Sequence, residues 1–296
     1  MKRLILIIFL VCGFAGDVHA LDMKAETAHG SIRVTSQYRD LSPGEIVKIS
    51  LESPLFSSAW ARFDGRMHAF VPDTGETSFF TLIGLGLDIS PGFHNLYIGI
   101  RYPDGYEKNF SLKLSISDRT FPAQRLTVDK KFVLISPEVQ ERVLREKKLV
   151  DAVYSVVTPS WLGQGGFIVP STGVISNNFG EKRIFNDGFL SRHRGIDIKC
   201  PRGTNIRASN AGKVVLTGDL YYAGKTVIID HGAGLFSSYC HLSSILVRDG
   251  DRVEKGTTIG HAGSTGRVTG PHLHWGVRLL DKHVNPLSLM HLSFAE

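Results

Sequence analysis

The chain has 296 residues, 42% of them hydrophobic, with a formal net charge of +6 and a pI near 9.2. That length allows about two domains of ~100–200 residues, and the apolar content is ordinary for a globular protein with real cores. The mild basicity suits an anionic partner, but no Lys/Arg block with interleaved aromatics is present, which argues against nucleic acid.

The first twenty residues read "MKRLILIIFLVCGFAGDVHA". Lys2 and Arg3 precede an apolar run from Leu4 to Val11, and Val18-His19-Ala20 offers small residues where a signal peptidase cuts. The run is shorter than the ~20 residues of a membrane-spanning helix. Cys12 as a lipidation site and an uncleaved anchor are the competing readings; Val11 is bulkier than the small residue expected before a lipidated cysteine. The expectation is a signal peptide at 1–20, a mature chain from about Leu21, and an exported protein, periplasmic or cell-wall associated. No later apolar run is long enough to span a bilayer, so no stable membrane span is expected after cleavage. Cys200 and Cys240 then remain. Outside the cytoplasm they could form a disulfide; two buried thiols are the equal alternative.

Residues 21–118 predict a β-sandwich-like accessory domain. Ile32 and Val34, then Ile46, Val47, Ile49 and Leu51, alternate around a Ser-Pro-Gly turn, and turn signals recur about every ten residues. "HNLYIGIRYPDGYEKNFSLKLSI" reads as a hairpin with Tyr102-Pro103-Asp104-Gly105 at the bend. His29, His68 and His94 are scattered and read as surface or turn residues. Residues 119–170 predict a connector with one helix. Ser136-Pro137 supplies a cap and a first-turn proline, Val139, Val143, Val150, Val153 and Val157 recur at helical spacing, and Pro159 stops the run. Its many charges read as a solvated helix face.

From 171 to 296 short β-like runs return, and eight of the twelve histidines lie here. "HRGIDI" carries His193 and Asp197, and "YCHLS" carries His241. "GPHLHWGV" carries His272 and His274 two apart, on one side of a strand, with Leu273 and Trp275 on the other. Each fragment alone is weak. Together they offer imidazoles and a carboxylate for a catalytic zinc, which uses three protein ligands and leaves a place for water. Spacing does not say which two of the four histidines would be ligands. His231 reads as a turn residue. His261, His283 and His291 lack partners at ligand spacing, and Ser264 and Thr265 lie in no nucleophile elbow.

The stretches "FGEKR", "HRGIDIKCPRGTNIRASNAGKVV", "GKTVIIDHGAG", "YCHLSSILVRDGDRVEKGTTIGHAGSTGRVTGPHLHWGV" and "VNPL", in this order, resemble the lysostaphin-type zinc endopeptidases. The resemblance implies a mainly β protein whose C-terminal domain is a duplicated-hybrid-motif peptidase with an open groove along one sheet. By position it implies Zn²⁺ on His193, Asp197 and His274, with His241 and His272 as non-ligand catalytic histidines. Cys200 and Cys240 depart from the family pattern; by strand alternation Cys240 points away from the face of His241, so neither sulfur is expected at the metal. The implied function is hydrolysis of peptide cross-links in bacterial peptidoglycan by metal-activated water, with peptidoglycan peptide stems as substrate. The alternative is a non-catalytic wall-binding or hydrolase-activating module, against which the complete ligand set speaks. D-alanine–diaminopimelate links and glycine bridges both stay open as the bond cut; the former is favoured because no Gram-positive sorting signal or wall-binding repeat is present. The division of labour between His241 and His272, any protein partner of the N-terminal domain and the oligomeric state also stay open.

Overall fold

The computed structural model describes residues 7–11, 19–54, 56–73, 76–132, 135–176, 178–186 and 188–295. Most of the expected leader, with Cys12, lies outside the described residues; Ile7–Val11 is an edge strand paired with His19–Thr27. Among the described residues no helix is long and apolar enough to cross a membrane.

The architecture is mainly β. In the N-terminal half a six-stranded sheet faces a four-stranded one. Alternation fills the space between them: Ile32, Val34, Val47, Ile49 and Leu51 from the first meet Leu96, Ile98, Phe110 and Leu112 from the second. The expected hairpin is present. Gly92–Arg101 pairs with Glu107–Ile116, and Gly105 closes the bend at φ 86°, a left-handed conformation that glycine adopts without cost. His68 corrects the surface reading. It faces inward from Arg66–Ala69 and is buried, and burial lowers its pKa to about 4.

The six-stranded sheet is covered on both faces. Ile46, Phe80 and Leu82 point away from the sandwich into a second core shared with Ile196, Trp275, Val277 and Phe294 of the C-terminal half. Polar contacts stitch the junction. Lys48 Nζ donates to Asp73 at 2.9 Å and to the Ser293 carbonyl at 2.7 Å, and the Asn285 N–H donates to the Gly44 carbonyl at 2.7 Å. Buried charges persist where they are paired, so Lys48 ties the two halves together.

The cap-and-proline signal places helix α1 at Pro137–Ser155, with the Ser136 hydroxyl accepting from the Val139 N–H. It ends before Pro159, because Val156 is already extended, and this leaves Val157 outside the helix and exposed. Val150, Val153 and Tyr154 pack on Leu216, Ile228 and Phe236. Not all of its charges are solvated: the Glu146 carboxylate accepts from the Tyr221 N–H at 2.8 Å. The connector also contributes a strand, Ala123–Leu126, which runs parallel to Lys182–Phe185, itself antiparallel to Phe189–Arg192. This small side sheet forms one wall of the groove described next.

The C-terminal half is a large sheet. Its central order is Val174–Ser176, Gly195–Lys199, Leu273–Leu279, Leu235–Ile245, Gly224–Asp230 and Gly212–Leu220. Ile196, Ile198, Leu273 and Trp275 are buried beneath it. The opposite face, carrying Asp197 and His274, lies open between the side sheet and the loop that precedes Leu273.

Candidate active site

Strand register brings the candidates together. Asp197 pairs with His274, and His274 pairs with Cys240, across three adjacent strands. Residues directly opposite in a ladder share a face, so all three point into one groove. Cys240 therefore lies on the same face as His274, contrary to simple alternation from His241. The reason is an irregularity in the Leu235–Ile245 strand, where the register shifts against Lys225/Val227. His241 there sits at φ 64°, its N–H held by the Ala223 carbonyl at 2.9 Å. A bulge of this kind re-aims a side chain, and both Cys240 and His241 line the groove. Cys200 and Cys240 are buried free thiols. Burial pushes the Cys240 thiol up to about 11, and neither sulfur belongs to the cluster of close ligand atoms formed by His193, Asp197 and His274.

Three ligand atoms converge. His193 Nε2 lies 2.9 Å from His274 Nδ1 and 3.1 Å from Asp197 Oδ1, and His274 Nδ1 lies 3.0 Å from the same oxygen. His193 Nδ1 faces the Asn178 carbonyl at 2.9 Å; a carbonyl only accepts, so Nε2 presents a lone pair. Asp197 Oδ2 accepts from Arg183 Nη2 at 2.6 Å and Asn178 Nδ2 at 3.1 Å, which leaves Oδ1 for the cluster. Three acceptors this close repel unless a cation sits among them, and one proton serves only a single contact. A triangle with sides near 3 Å can be capped by an ion with metal–nitrogen and metal–oxygen bonds of ~2.0–2.1 Å. The residues present therefore fit a divalent metal. Without an ion, one of these contacts must carry a proton. Burial works against the charged form of Asp197, but N–H donation from the neighbouring His193 and His274 rings would outweigh it and hold the carboxyl well below the usual carboxylate range; a bound cation would take that proton's place.

The other two histidines are arranged alike. His241 Nδ1 donates to the Thr265 carbonyl at 2.9 Å, and His272 Nδ1 donates to the Gly270 carbonyl at 2.8 Å. Each Nε2 is thereby left as an acceptor; that of His272 is 3.7 Å from Asp197 Oδ1. Their rings lie 4.9 Å apart. Burial lowers the pKa of both, and for His241 the neighbouring His272 and His274 lower it further. Both are thus neutral proton acceptors at neutral pH.

Sequence reasoning assigned no role to Asn178, Arg183, Gly195 or Thr265. The signal was present for two of them: Arg183 ends "FGEKR", and Gly195 sits in "HRGIDI". A Cβ on Gly195 would lie 2.7 Å from His274 Nε2 and 2.5 Å from the Trp275 carbonyl, so the glycine makes room for the imidazole. Gly195→Ala should push on both the His274 ring and the Trp275 backbone, lowering stability and weakening metal affinity about 10–100-fold, the scale set by lost ligand support; metal titration alongside thermal unfolding followed by circular dichroism separates the two effects.

His231 stands in the turn between Gly224–Asp230 and Leu235–Ile245, as its sequence suggested, but not at the surface. It is fully buried, donates from Nδ1 to the Ala211 carbonyl at 2.7 Å and meets the Ser237 hydroxyl through Nε2 at 2.7 Å. Burial lowers its pKa to about 4 and that of His283 to about 3. The unfolded chain, with histidines near ~6.5, binds more protons below that pH. The stability these neutral rings retain is complete above ~6.5 and is lost as pH falls towards 4. His231 alone should cost about 2 kcal/mol of stability between pH 7 and 5, read as a drop in urea midpoint.

The geometry agrees with independent comparisons. The family model described as Peptidase family M23 matches residues 191–286. A solved structure of an M23 peptidase from Pseudomonas aeruginosa is 31% identical, covers 85% of this chain and 96% of its own, and superposes with a TM-score of 0.66. The chain belongs to peptidase family M23. This M23 chain is 42% identical over 120 residues to the peptidoglycan DD-endopeptidase ShyA of Vibrio cholerae, an alignment covering 40% of this chain and 28% of ShyA. It is 43% identical over 97 residues to the DD-carboxypeptidase/endopeptidase Mpg of Neisseria meningitidis, covering 33% and 22%. It therefore spans about a quarter of the length of these curated relatives. Membership makes it a metal-dependent peptide hydrolase by family, and the His193–Asp197–His274 triangle is the M23 chain's candidate metal centre.

Proposed function

We propose that this M23 protein is an exported zinc-dependent endopeptidase that hydrolyses peptide cross-links of bacterial peptidoglycan. The convergence of His193, Asp197 and His274 carries the reading, because three potential ligand atoms within 3.1 Å of one another on one groove wall suit a shared cation. Zinc suits this donor set: two imidazoles and one carboxylate match a catalytic site with a place for water.

When bound, zinc supplies a Lewis acid and lowers the pKa of a water towards ~7. The chain's own groups do the rest. Asn178 and Arg183 fix His193 and Asp197, as outer partners of metal ligands do. His241 Nε2 and His272 Nε2, both neutral, receive the proton of the attacking water and return one to the leaving nitrogen. The groove, about 1260 Å³, is large enough for an extended peptide. The named activities of ShyA and Mpg favour D-alanyl cross-links over glycine bridges.

Metal-restored full-length protein incubated with defined dimeric muropeptides should release monomers, identified by mass spectrometry, and a chelator should stop the release. Intact dimers in the presence of a full metal complement would contradict the reading.

A further inference from the structure

We propose that Glu146, on the connector helix α1, is a positioning residue for His241. It acts through the turn at 221–223, and the proposal rests on the peptidase reading above.

This turn joins Gly212–Leu220 to Gly224–Asp230, and its Tyr222 and Ala223 line the groove. Helix α1 grips it from outside. Glu146 Oε2 accepts from the Tyr221 N–H at 2.8 Å, while its Oε1 accepts from Arg142 Nε at 2.6 Å. Arg142 Nη2 donates to the Asp219 carbonyl at 2.8 Å, and its guanidinium carbon lies 5.7 Å from the Tyr221 ring centre. Residues ahead of the helix hold the same tyrosine. The Tyr221 hydroxyl donates to the Lys131 carbonyl, and its ring lies 5.3 Å from that of Phe132. The Glu146 side chain is only 19% exposed, so salt screens it little. A charge-assisted bond of this kind is about twice as strong as a neutral one.

Both anchors of His241 rest on the gripped turn. The Ala223 carbonyl accepts the His241 N–H at 2.9 Å. The Thr265 carbonyl accepts from Nδ1 of the ring, and Thr265 is itself pinned to the turn, since its hydroxyl oxygen accepts from the Lys225 N–H at 2.9 Å. The two segments touch directly: a Cβ on Gly224 would fall 2.3 Å from that hydroxyl oxygen. His241 needs such support. Its φ of 64° is a conformation that a non-glycine residue keeps only where its surroundings over-determine it. Glu146 thus sets the turn, and the turn sets both the backbone and the ring of the catalytic histidine.

The test uses the full chain with its metal restored and a soluble dimeric muropeptide as substrate. Glu146→Ala should keep its metal and its KM and lose about tenfold to a hundredfold in kcat, the scale for a catalytic group displaced by about 1 Å. Glu146→Gln, which keeps an oxygen for the Tyr221 N–H, should recover most of that loss. In a His241→Ala background, Glu146→Ala should cost nothing further, because the group it positions is gone. Amide hydrogen exchange at Tyr221 and His241 should speed up in Glu146→Ala. Arg142→Ala, which releases the Asp219 carbonyl, should show the same pattern with a smaller loss, and it carries the test if Glu146→Ala folds poorly. Full kcat in Glu146→Ala, an equal loss with and without His241, or unchanged exchange at His241 overturns the assignment while leaving the peptidase reading intact. If the parent cuts no dimer with its metal in place, the peptidase reading falls, and exchange at His241 still decides whether the helix holds that residue.

Discussion

Asp197→Asn and His274→Ala should each abolish metal retention and lower turnover roughly 10³–10⁴-fold. A catalytic metal supplies several kcal/mol of charge stabilisation, and at ~1.4 kcal/mol per tenfold that is the rate lost. Asn keeps the shape of residue 197 and an oxygen that can accept from Arg183 Nη2, which now approaches at 2.6 Å. Loss of metal in a folded Asp197→Asn protein would therefore report the missing ligand charge, not a collapsed site. His274→Ala also empties the space above Gly195. Metal content after dialysis, kcat on a soluble dimer and the thermal midpoint separate these effects. A variant that retains metal and rate would remove that residue from the ligand set.

His241→Ala and His272→Ala should keep the metal and lose about 10²–10⁴ in kcat, the usual contribution of a positioned general acid or base. Neither residue falls within the triangle of close ligand atoms, and each has its Nδ1 committed to a backbone carbonyl. The variants should also differ in pH profile. Burial depresses both imidazoles, so the acid limb of kcat/KM in the parent should lie below ~6.5. Removing the residue that titrates there should flatten that limb. Loss of metal in either variant would make it a ligand instead.

Much of this was legible in the sequence because strand alternation is a local rule. The placement of His272 and His274 on one side, with Leu273 and Trp275 buried on the other, follows from period two alone. The Ser136-Pro137 start of α1 was legible for a similar reason, since the cap is made by neighbours in sequence. What resisted reading depended on partners far along the chain. Cys240 shares a face with His274 because a bulge at His241 breaks the alternation, and no residue in "YCHLS" announces a left-handed histidine. His231 is buried against Phe167 and Ala211, far back in the chain, so the residues beside it gave no sign of burial, and the same holds for His68. The strand Ala123–Leu126 is short and gains its pairing only from Lys182–Phe185, which is why the connector concealed a groove wall. Asn178 serves His193 through its carbonyl and Asp197 through its amide; a backbone role leaves no mark on residue type.

The ion's immediate surroundings test the account most directly. X-ray absorption at the zinc edge of the metal-restored protein should show nitrogen and oxygen neighbours at ~2.0–2.1 Å with imidazole scattering, and no sulfur near ~2.3 Å. A sulfur neighbour would place Cys200 or Cys240 at the ion. A shell without imidazole scattering would remove His193 and His274 from it, and either result would contradict the proposed centre.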